Sequence, residues 1–471
     1  MVSLIGYSRQ RNFYPAGMTV GGVPIGGLSP SEASQRLLEV YTSPVEIQYS
    51  DATIHVDPAV VGFQPDVDSM LAAADLTRTG RPFWGGFWDY IWNRTPASAS
   101  IPLRATLSED RLREYLTDEI AARYDLPPSA AQPVPGGTTF TPGEPAQALD
   151  VDRATILLGD ALRSPSTRSV ALTSVRGASI RPTMPELEIL LKQLVTVSDF
   201  DGLIGLYMVD LQTGQEIHFA MNAKQEIAAE PDIAFTASST IKIPIVLSYF
   251  INRGTEIDAQ TSTDLSRVLG QSDNTATDRV LERIEPNVGP LVVTRDIETL
   301  GLDSTFILGF FFPGAPKLGP DRETPGNQRA DVFTDPDSYS QTTPAEMGIL
   351  LSDLYQCAQT GGGGLVAAFP GKLDAEACQL VIDFMAQDKL GSLIQGGVPD
   401  GTLVPHKHGY VPDLDNIVHD ISDVGIVYSP GGNFALAIYT YHPIQNIWDV
   451  TNPLFIRLTQ ATYNYFNLAA Q

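Results

Sequence analysis

Lysine is scarce in this 471-residue chain, which has seven lysines against 23 arginines and none before Lys192. Acidic residues outnumber all basic residues together, and the net charge is −25. Binding of nucleic acid needs a basic face, so this charge argues against nucleic acid as a partner. Arginine does not give up its proton in proteins, so a position that transfers a proton has to keep lysine. Two of the seven lysines, Lys242 and Lys407, fall in the motifs described below.

Long hydrophobic runs and cysteines are also few. No run of 18 apolar residues occurs, so we expect no membrane-spanning helix. The first residues lack both the charged region and the long apolar core of a signal peptide. Cys357 and Cys378 could form a disulfide across an antiparallel helix pair or remain two buried thiols. Neither cysteine lies in a nucleophile or zinc pattern.

Length and charge distribution predict two domains. A chain of this length is too long for one ordinary core. Residues 1–185 have a net charge of −4 and residues 186–471 a net charge of −21, which indicates a boundary near residue 185. We predict a small α+β domain at 14–182, a hinge at 181–185, and a second α+β domain at 186–471. The Pro- and Gly-rich stretch 128–145 is predicted to be a loop.

The first domain contains a weak internal repeat. A predicted helix at 33–41 leads into a strand at 45–49, and a helix ending near Leu162 leads into a strand at 169–174. This order resembles the domain that precedes vancomycin-resistance W-type modules, and the resemblance implies binding to peptidoglycan. A plain spacer domain is the alternative.

Three of the four tryptophans lie between Arg81 and Trp92. Such a cluster is most often core or a seam between domains. A sugar-stacking patch or a membrane-surface patch is the alternative.

The pair Ser239 and Lys242 carries the strongest chemical signal. Residues three apart share one face of a helix, so the amine would lie beside the hydroxyl. Serine needs a neighbour that takes its proton, and a buried lysine can do this because burial lowers its pKa. Taken alone, however, Ser-x-x-Lys is expected about once by chance in a chain of this size.

Two further motifs follow in order, Ser272-Asp273-Asn274 and Lys407-His408-Gly409. The ordered set resembles the active site of class A β-lactamases and penicillin-binding proteins over about residues 186 to 471. This resemblance implies an antiparallel sheet flanked by helices, beside a reduced all-helical lobe, and no cofactor. It also implies a location outside the cell or in its envelope, so we expect an export signal or a membrane anchor that is absent from this chain.

The resemblance assigns a role to each residue of the motifs. Ser239 would be the nucleophile, Lys242 the acylation base, and Ser272 the relay of a proton to the leaving nitrogen. Lys407 would place positive charge near Ser272 and the substrate carboxylate, and Asp273 would accept backbone N–H bonds. The substrate-binding residues would be Asn274, His408, Gly409 and Tyr410, with the N–H groups of Ser239 and Tyr410 as the oxyanion hole.

The sequence departs from the class A pattern in three ways. His408 stands where the family usually has threonine or serine. Only 33 residues separate Ser239 from Ser272, so we expect a smaller helical lobe. The apolar stretch Leu308–Pro313 stands where we expect the deacylating glutamate, and Glu323 is the nearest candidate for that base. His406 and His408 could also suggest a metal, but two ligands without a third are weak evidence.

We therefore predict a penicillin-recognising serine hydrolase that forms an acyl-enzyme at Ser239 with a β-lactam and deacylates slowly. One alternative is a D-Ala-D-Ala carboxypeptidase or endopeptidase that acts on peptidoglycan stem peptides. The other is a non-catalytic cell-wall-binding protein that retains the motifs.

Overall fold

The computed structural model describes residues 2–94, 98–177, 181–412 and 416–468. The chain forms two compact units. The first unit takes in the chain up to Ser129 together with a segment that starts at Gly143. The second takes in Ala130–Pro142 and the chain from Arg181 onward. The segment 128–145, predicted to be a loop of the first domain, thus supplies a short hairpin to the second unit.

The first unit is built from short strands and seven α-helices within the described residues. Its strands are β1 (Thr19–Val20), β2 (Val23–Pro24), β3 (Val45–Tyr49), β4 (Ala52–Val56), β5 (Gln64–Pro65), β6 (Ser100–Ile101), β7 (Ala105–Thr106), β10 (Gln147–Leu149), β11 (Ser169–Ala171) and β12 (Ser174–Arg176). Its helices are α1 (Val2–Gln10), α2 (Pro30–Thr42), α3 (Val67–Thr79), α4 (Phe83–Ile91), α5 (Glu109–Tyr115), α6 (Ala122–Tyr124) and α7 (Val151–Arg163), with a π-helical turn at Leu116–Ala121 between α5 and α6.

The repeat predicted from the sequence has a structural counterpart. Helix α2 leads into β3 and α7 leads into β11, and the two strands pair in parallel in a sheet of order β11-β3-β4. Ser29 caps α2 through a capping box with Glu32, and Asp150 caps α7 by accepting the N–H of Arg153. The single strand predicted at 169–174 is wrong, because the chain leaves β11 at Leu172 and forms β12 in a different two-stranded sheet.

The second unit has the predicted α+β architecture. Its strands are β8 (Gln132–Pro133), β9 (Phe140–Thr141), β13 (Leu203–Asp210), β14 (Glu216–Asn222), β15 (Gln225–Ile227), β16 (Phe235–Thr236), β17 (Phe306–Ile307), β18 (Ser340–Thr342), β19 (His406–Pro412), β20 (Val418–Val427) and β21 (Phe434–Tyr441). Its helices are α8 (Met184–Val197), α9 (Lys242–Arg253), α10 (Ala259–Gly270), α11 (Asn274–Ile284), α12 (Gly289–Thr299), α13 (Pro344–Thr360), α14 (Gly364–Ala368), α15 (Ala375–Met385) and α16 (Trp448–Phe466).

A six-stranded antiparallel sheet of order β15-β14-β13-β21-β20-β19 forms the centre of this unit. Strand β13 is buried along its whole length, because helices cover both faces of the sheet. Ile204, Leu206 and Met208 point into a core shared with α8 and α16. Tyr207 and Val209 point into a second core shared with α9, α13 and α15. Strand β19 lies at one edge of the sheet and, among the described strands, pairs only with β20.

The structure bears on two further predictions from the sequence, the pairing of the cysteines and the burial of the tryptophan cluster. Cys357 of α13 and Cys378 of α15 form a disulfide between two packed helices. By contrast, the expectation that the tryptophan cluster is core is wrong, because Trp84, Trp88 and Trp92 are each more than half exposed. The alternative of a seam between domains stays a prediction. No helix in the described ranges is long and apolar enough to cross a membrane.

Candidate active site

Ser239 lies in a single 3-10 turn, Ser238–Ile241, that leads directly into α9. Thr240 fixes this turn, because its hydroxyl donates to Ala237 O at 2.6 Å and lies 2.8 Å from the Tyr439 hydroxyl on β21. Ser238 has a φ of 49°, a left-handed conformation that is costly for a non-glycine residue. The turn therefore holds Ser239 at the start of a buried helix, next to the edge of the sheet.

The Lys242 amine has four oxygen partners. Its Nζ lies 3.0 Å from Ser239 Oγ, 3.1 Å from Ser272 Oγ, 2.9 Å from Ser272 O and 2.7 Å from Asn274 Oδ1. The carbonyl and amide oxygens can only accept, so they take two N–H bonds. A neutral amine then has its lone pair free for a serine hydroxyl. The geometry thus suits a Lys242 that receives the proton of Ser239.

Electrostatics favour this neutral form. The Lys242 side chain is fully buried, and burial lowers its pKa to about 7, with the positive charge of Lys407 as the next cause. The carboxylates of Asp273 and Asp278 act in the opposite direction. A large fraction of Lys242 is therefore able to act as a base at neutral pH.

Ser272 and Asn274 reach the site from the start of α11. Ser272 Oγ donates to Ser239 Oγ at 2.8 Å, and Ser272 has a left-handed φ of 56°. Asp273 caps α11 by accepting the N–H of Ala276 at 2.8 Å and pairs with Arg267. It accepts a backbone N–H bond, as the sequence analysis expected, while its neighbours face Lys242.

Strand β19 passes close to Ser239 at Gly409. A Cβ atom at Gly409 would lie 3.2 Å from Ser239 N and 3.0 Å from Ser238 Cβ, so a larger residue would push the strand away. Just before β19, Pro405 O accepts the N–H of Ile426 on β20, so the backbone groups of Pro405 point towards β20. Along an antiparallel ladder this direction alternates from one residue to the next, so Gly409 also points towards β20 and Tyr410 points away from it. The N–H of Tyr410 therefore points outward, to the edge where Ser239 lies. The backbone N–H of Tyr410 thus lies on the side of β19 where Ser239 approaches, as a pair of oxyanion donors from these two residues requires.

Lys407 belongs to the same strand, and its amine is bonded to neighbours other than Ser239 and Ser272. Its Nζ lies 3.0 Å from His408 O and 3.4 Å from Asp388 Oδ2, and no hydrogen bond in the described ranges joins it to Ser272. Burial lowers its pKa, and Asp388 opposes this shift. Lys407 thus acts on Lys242 through its charge at a distance.

The two histidines of this strand bind separate carboxylates. His408 Nδ1 lies 2.8 Å from Asp388 Oδ2, and His406 Nδ1 lies 3.0 Å from Asp423 Oδ1. Burial would lower the pKa of His406, but Asp423 raises it. Across the described residues, no group of three or more His, Cys, Asp or Glu side chains could hold a metal ion.

Phe311 lies over the Lys242 amine, with its ring centroid 5.0 Å from Nζ. Asp278 Oδ1 accepts the Phe311 N–H at 2.7 Å and fixes the loop in this position. The three consecutive phenylalanines of this loop differ in burial. Phe310 and Phe311 pack against the core, whereas Phe312 is about half exposed. Glu323 is exposed and makes no hydrogen bond to Lys242 or Ser239 within the described ranges.

Sequence reasoning missed Asp388 and the position of Phe311. Asp388 follows α15 and has no motif around it, so only its burial beside Lys407 and His408 identifies it. Burial alone would raise its pKa, but the His408 hydrogen bond and the charge of Lys407 lower it to about 2. Asp388 is therefore the counterion that holds Lys407 and His408 in place.

An Asp388→Asn variant tests this role. The pKa of Asp388 is lowered from 3.8 to about 2, so its carboxylate stabilises the fold above about pH 4, and this contribution is lost as pH falls towards about 2. We expect the variant to be less stable at pH 7 by roughly 2 kcal/mol, and the difference to shrink below about pH 4. Thermal unfolding at several pH values measures this. Asp152→Asn, which removes an exposed ion pair with Arg113, should change stability by less than about 1 kcal/mol. Equal effects of the two variants would contradict the role of Asp388.

Comparison with known proteins gives one family match. Residues 258–466 match the beta-lactamase enzyme family, a span of less than half of the chain. Ser272, Asn274 and Lys407 lie inside the matched span, and Ser239 and Lys242 lie before it. No match is found among the curated proteins.

Several solved structures are similar to this chain. A mutant of PBP-A, described as an acyl-enzyme complex with penicillin G, is 18% identical, with a TM-score of 0.41, 61% of this chain covered and 98% of that chain. A beta-lactamase from Desulfarculus baarsii DSM 2075 is 19% identical, with a TM-score of 0.40, 60% of this chain covered and 97% of that chain. The extended-spectrum beta-lactamase TLA-1 is 16% identical, with a TM-score of 0.44, 60% of this chain covered and 98% of that chain.

Proposed function

We propose that this protein is a serine hydrolase of the β-lactamase type that acylates Ser239 with a β-lactam and releases the acyl group slowly. One observation carries the proposal: the buried Lys242 amine lies 3.0 Å from Ser239 Oγ while its N–H groups have acceptors in Ser272 O and Asn274 Oδ1. A serine hydroxyl becomes a nucleophile when such a base takes its proton.

The acylation step follows from these contacts. Ser239 Oγ bonds to the lactam carbonyl carbon while its proton moves to Lys242. The developing oxyanion accepts the N–H groups of Ser239 and Tyr410. The C–N bond then breaks, and Ser272, 3.1 Å from Lys242 Nζ and 2.8 Å from Ser239 Oγ, passes the proton from Lys242 to the leaving nitrogen.

Substrate recognition depends on charge at strand β19. A β-lactam and the end of a peptidoglycan stem peptide each have a carboxylate. Lys407 supplies positive charge for it, and His408, oriented by Asp388, supplies an imidazole in place of a hydroxyl. Asn274 receives the side-chain carbonyl of the substrate.

Slow release follows from the surroundings of Lys242. Hydrolysis of the ester needs a base that activates water. The side chain that lies over the Lys242 amine is the apolar ring of Phe311, and Glu323 has no contact with Lys242 among the described residues. This favours a long-lived acyl-enzyme.

A D-Ala-D-Ala carboxypeptidase or endopeptidase is the second candidate, and the same phenylalanine favours it. Such an enzyme is inhibited by penicillin because the acyl group stays on the serine. The protein would then work outside the cell or in its envelope, with the first unit in contact with peptidoglycan.

A labelling experiment separates the candidates. We expect a fluorescent penicillin to label the protein at Ser239, and intact-mass measurements to show a persistent adduct. Ser239→Ala should remove the label, and Ser198→Ala, a matched change at the end of α8, should not. Rapid loss of the adduct would indicate an efficient β-lactamase. Release of D-alanine from a stem-peptide analogue would indicate the peptidase. No adduct at all would contradict acylation and favour a non-catalytic cell-wall-binding protein.

A further inference from the structure

Helix α4 has apolar side chains on all sides, yet none of its residues is buried. Tyr7 of α1 contacts one side of it, with ring centroids 5.4 Å from Phe83, 5.7 Å from Phe87 and 5.5 Å from Tyr90. A helix that is apolar all round is normally covered on every side. The other side of α4 therefore lacks the cover that its composition requires.

This uncovered side is formed by Trp84, Trp88, Ile91 and Trp92, which we call the tryptophan face. At 100° per residue, these four positions fall within about 100° of the helix circumference. Trp84 is 64% exposed, Trp88 57% and Trp92 68%. Leu4 and Ile5 of the neighbouring helix α1 are exposed as well. An apolar surface of this kind marks a contact site.

Arginines are concentrated near α1 and α4, in a chain that is acidic as a whole. Residues 1–12 and 75–94 contain five arginines and two acidic residues, Asp75 and Asp89, whereas the whole chain has a net charge of −25. Four of these arginines line a cavity of about 240 Å³ on the side of α4 that faces α1, opposite the tryptophan face: Arg11, Arg78, Arg81 and Arg94. Two of them also have carboxylate partners, since Arg78 pairs with Asp75 at 2.9 Å and Arg81 lies 3.9 Å from Asp89. Guanidinium groups are suited to phosphate oxygens because of their planar, forked donors.

We propose that α1 and α4 dock on the surface of an anionic phospholipid bilayer. The tryptophan face would lie at the boundary between headgroups and acyl chains, where the amphipathic tryptophan ring is favoured. The arginines on the opposite, polar side of α4 would bind lipid phosphates at the level of the headgroups. This proposal is independent of the chemistry at Ser239.

The charge and the aliphatic side chains favour lipid over glycan. Sugar rings stack on aromatic faces, but a neutral sugar has no charge for the arginines to pair with. Ile91, Leu4 and Ile5 offer no stacking surface either, whereas all three can enter the acyl boundary. A peripheral attachment also requires no membrane-spanning helix.

Vesicle flotation with the full chain tests the proposal. We expect binding to phosphatidylglycerol-containing vesicles, little binding to pure phosphatidylcholine vesicles, and weaker binding at high salt. On binding, tryptophan emission should shift to the blue and be quenched by brominated lipids. The triple variant Trp84→Ser/Trp88→Ser/Trp92→Ser should bind at least about tenfold more weakly. Its matched control is Phe333→Ser/Ile444→Ser, which removes two other exposed apolar side chains and should bind like the wild type.

A second variant tests the charge without altering the apolar surface. Arg81→Gln/Arg94→Gln should weaken binding to anionic vesicles by about fivefold for each arginine. Arg36→Gln, at an exposed arginine of α2, should not. Circular dichroism of each variant reports whether the protein is folded, and the arginine pair serves if the triple variant is not.

Three results would overturn the proposal. The first is the absence of binding to anionic vesicles at low salt. The second is a triple variant that binds vesicles as the wild type does. The third is a tryptophan-dependent association with insoluble peptidoglycan or with a second copy of the chain, in the absence of vesicle binding, which would assign the face to glycan or to a dimer.

Discussion

Lys242→Arg is expected to lower the rate constant for acylation of Ser239 by about 10²–10⁴-fold, because arginine cannot take the serine proton. In the wild type, the pKa of Lys242 is lowered to about 7, so the neutral amine predominates above that pH. We therefore expect the acylation rate constant to rise about tenfold per unit up to about pH 7 and then to level off. Time courses of labelling by a fluorescent penicillin at several pH values measure both effects.

Lys372→Arg is the matched control, since Lys372 is exposed and the same change is made there. This variant should keep the rate constant and the pH profile of the wild type. An unchanged rate in Lys242→Arg, or a wild-type profile that is flat between about pH 6 and about pH 8, would show that Lys242 is not the base.

Phe311→Glu should shorten the lifetime of the acyl-enzyme by about 10²–10⁴-fold, the usual contribution of a general base. The Phe311 ring is centred 5.0 Å from Lys242 Nζ, so a carboxylate at this position can reach a water beside the ester. The same carboxylate would raise the pKa of Lys242, because an opposite charge favours the ammonium form. Acylation at neutral pH should therefore become slower as deacylation becomes faster.

Phe311→Gln separates these effects, since it has the shape of glutamate without its charge. Intact-mass measurements after removal of free penicillin give the adduct lifetime. If both variants release the adduct at the same rate, loss of the ring and not the new base is responsible. If neither variant differs from the wild type, the loop at Phe311 does not limit deacylation.

The sequence predicted that the Lys242 amine lies beside the Ser239 hydroxyl, because this contact depends on local spacing. Ser239 and Lys242 are three residues apart, and a helical turn of any fold brings them together. The contribution of Ser272 and Asn274 came from motif order, and the structure places both within hydrogen-bond distance of Lys242. The catalytic and binding roles themselves stay predictions until labelling is measured.

The partners of Lys407 could not be predicted, because they depend on long-range packing. Asp388 follows α15 in the chain and contacts Lys407 and His408 of β19 only in the folded state. Hydrophobic periodicity contains no signal for such a contact. The same holds for Phe311, because an apolar stretch such as Leu308–Pro313 favours a place in the core, and nothing in it indicates a ring placed over an amine.

The tryptophan cluster shows a different limit. A short apolar helix has the same sequence pattern whether protein, lipid or sugar covers it. Because apolar helices are most often buried, the sequence favoured a place in the core for this cluster. The exposure of Trp84 and Trp92 in the structure contradicts that interpretation. The local charge could have indicated a contact surface, because arginines are concentrated near α4 while the chain as a whole is acidic.

The hairpin β8–β9 has a practical consequence for dissecting the molecule. Ala131 and Phe140 are buried against α8 and the sheet, Gly136 O accepts from Arg457, and Thr138 O accepts from Asn464. A catalytic fragment expressed from Arg181 onward would leave that apolar patch bare and those two donors unmatched. Retaining residues 130–142, for instance as a peptide fused ahead of α8, should restore solubility to such a fragment.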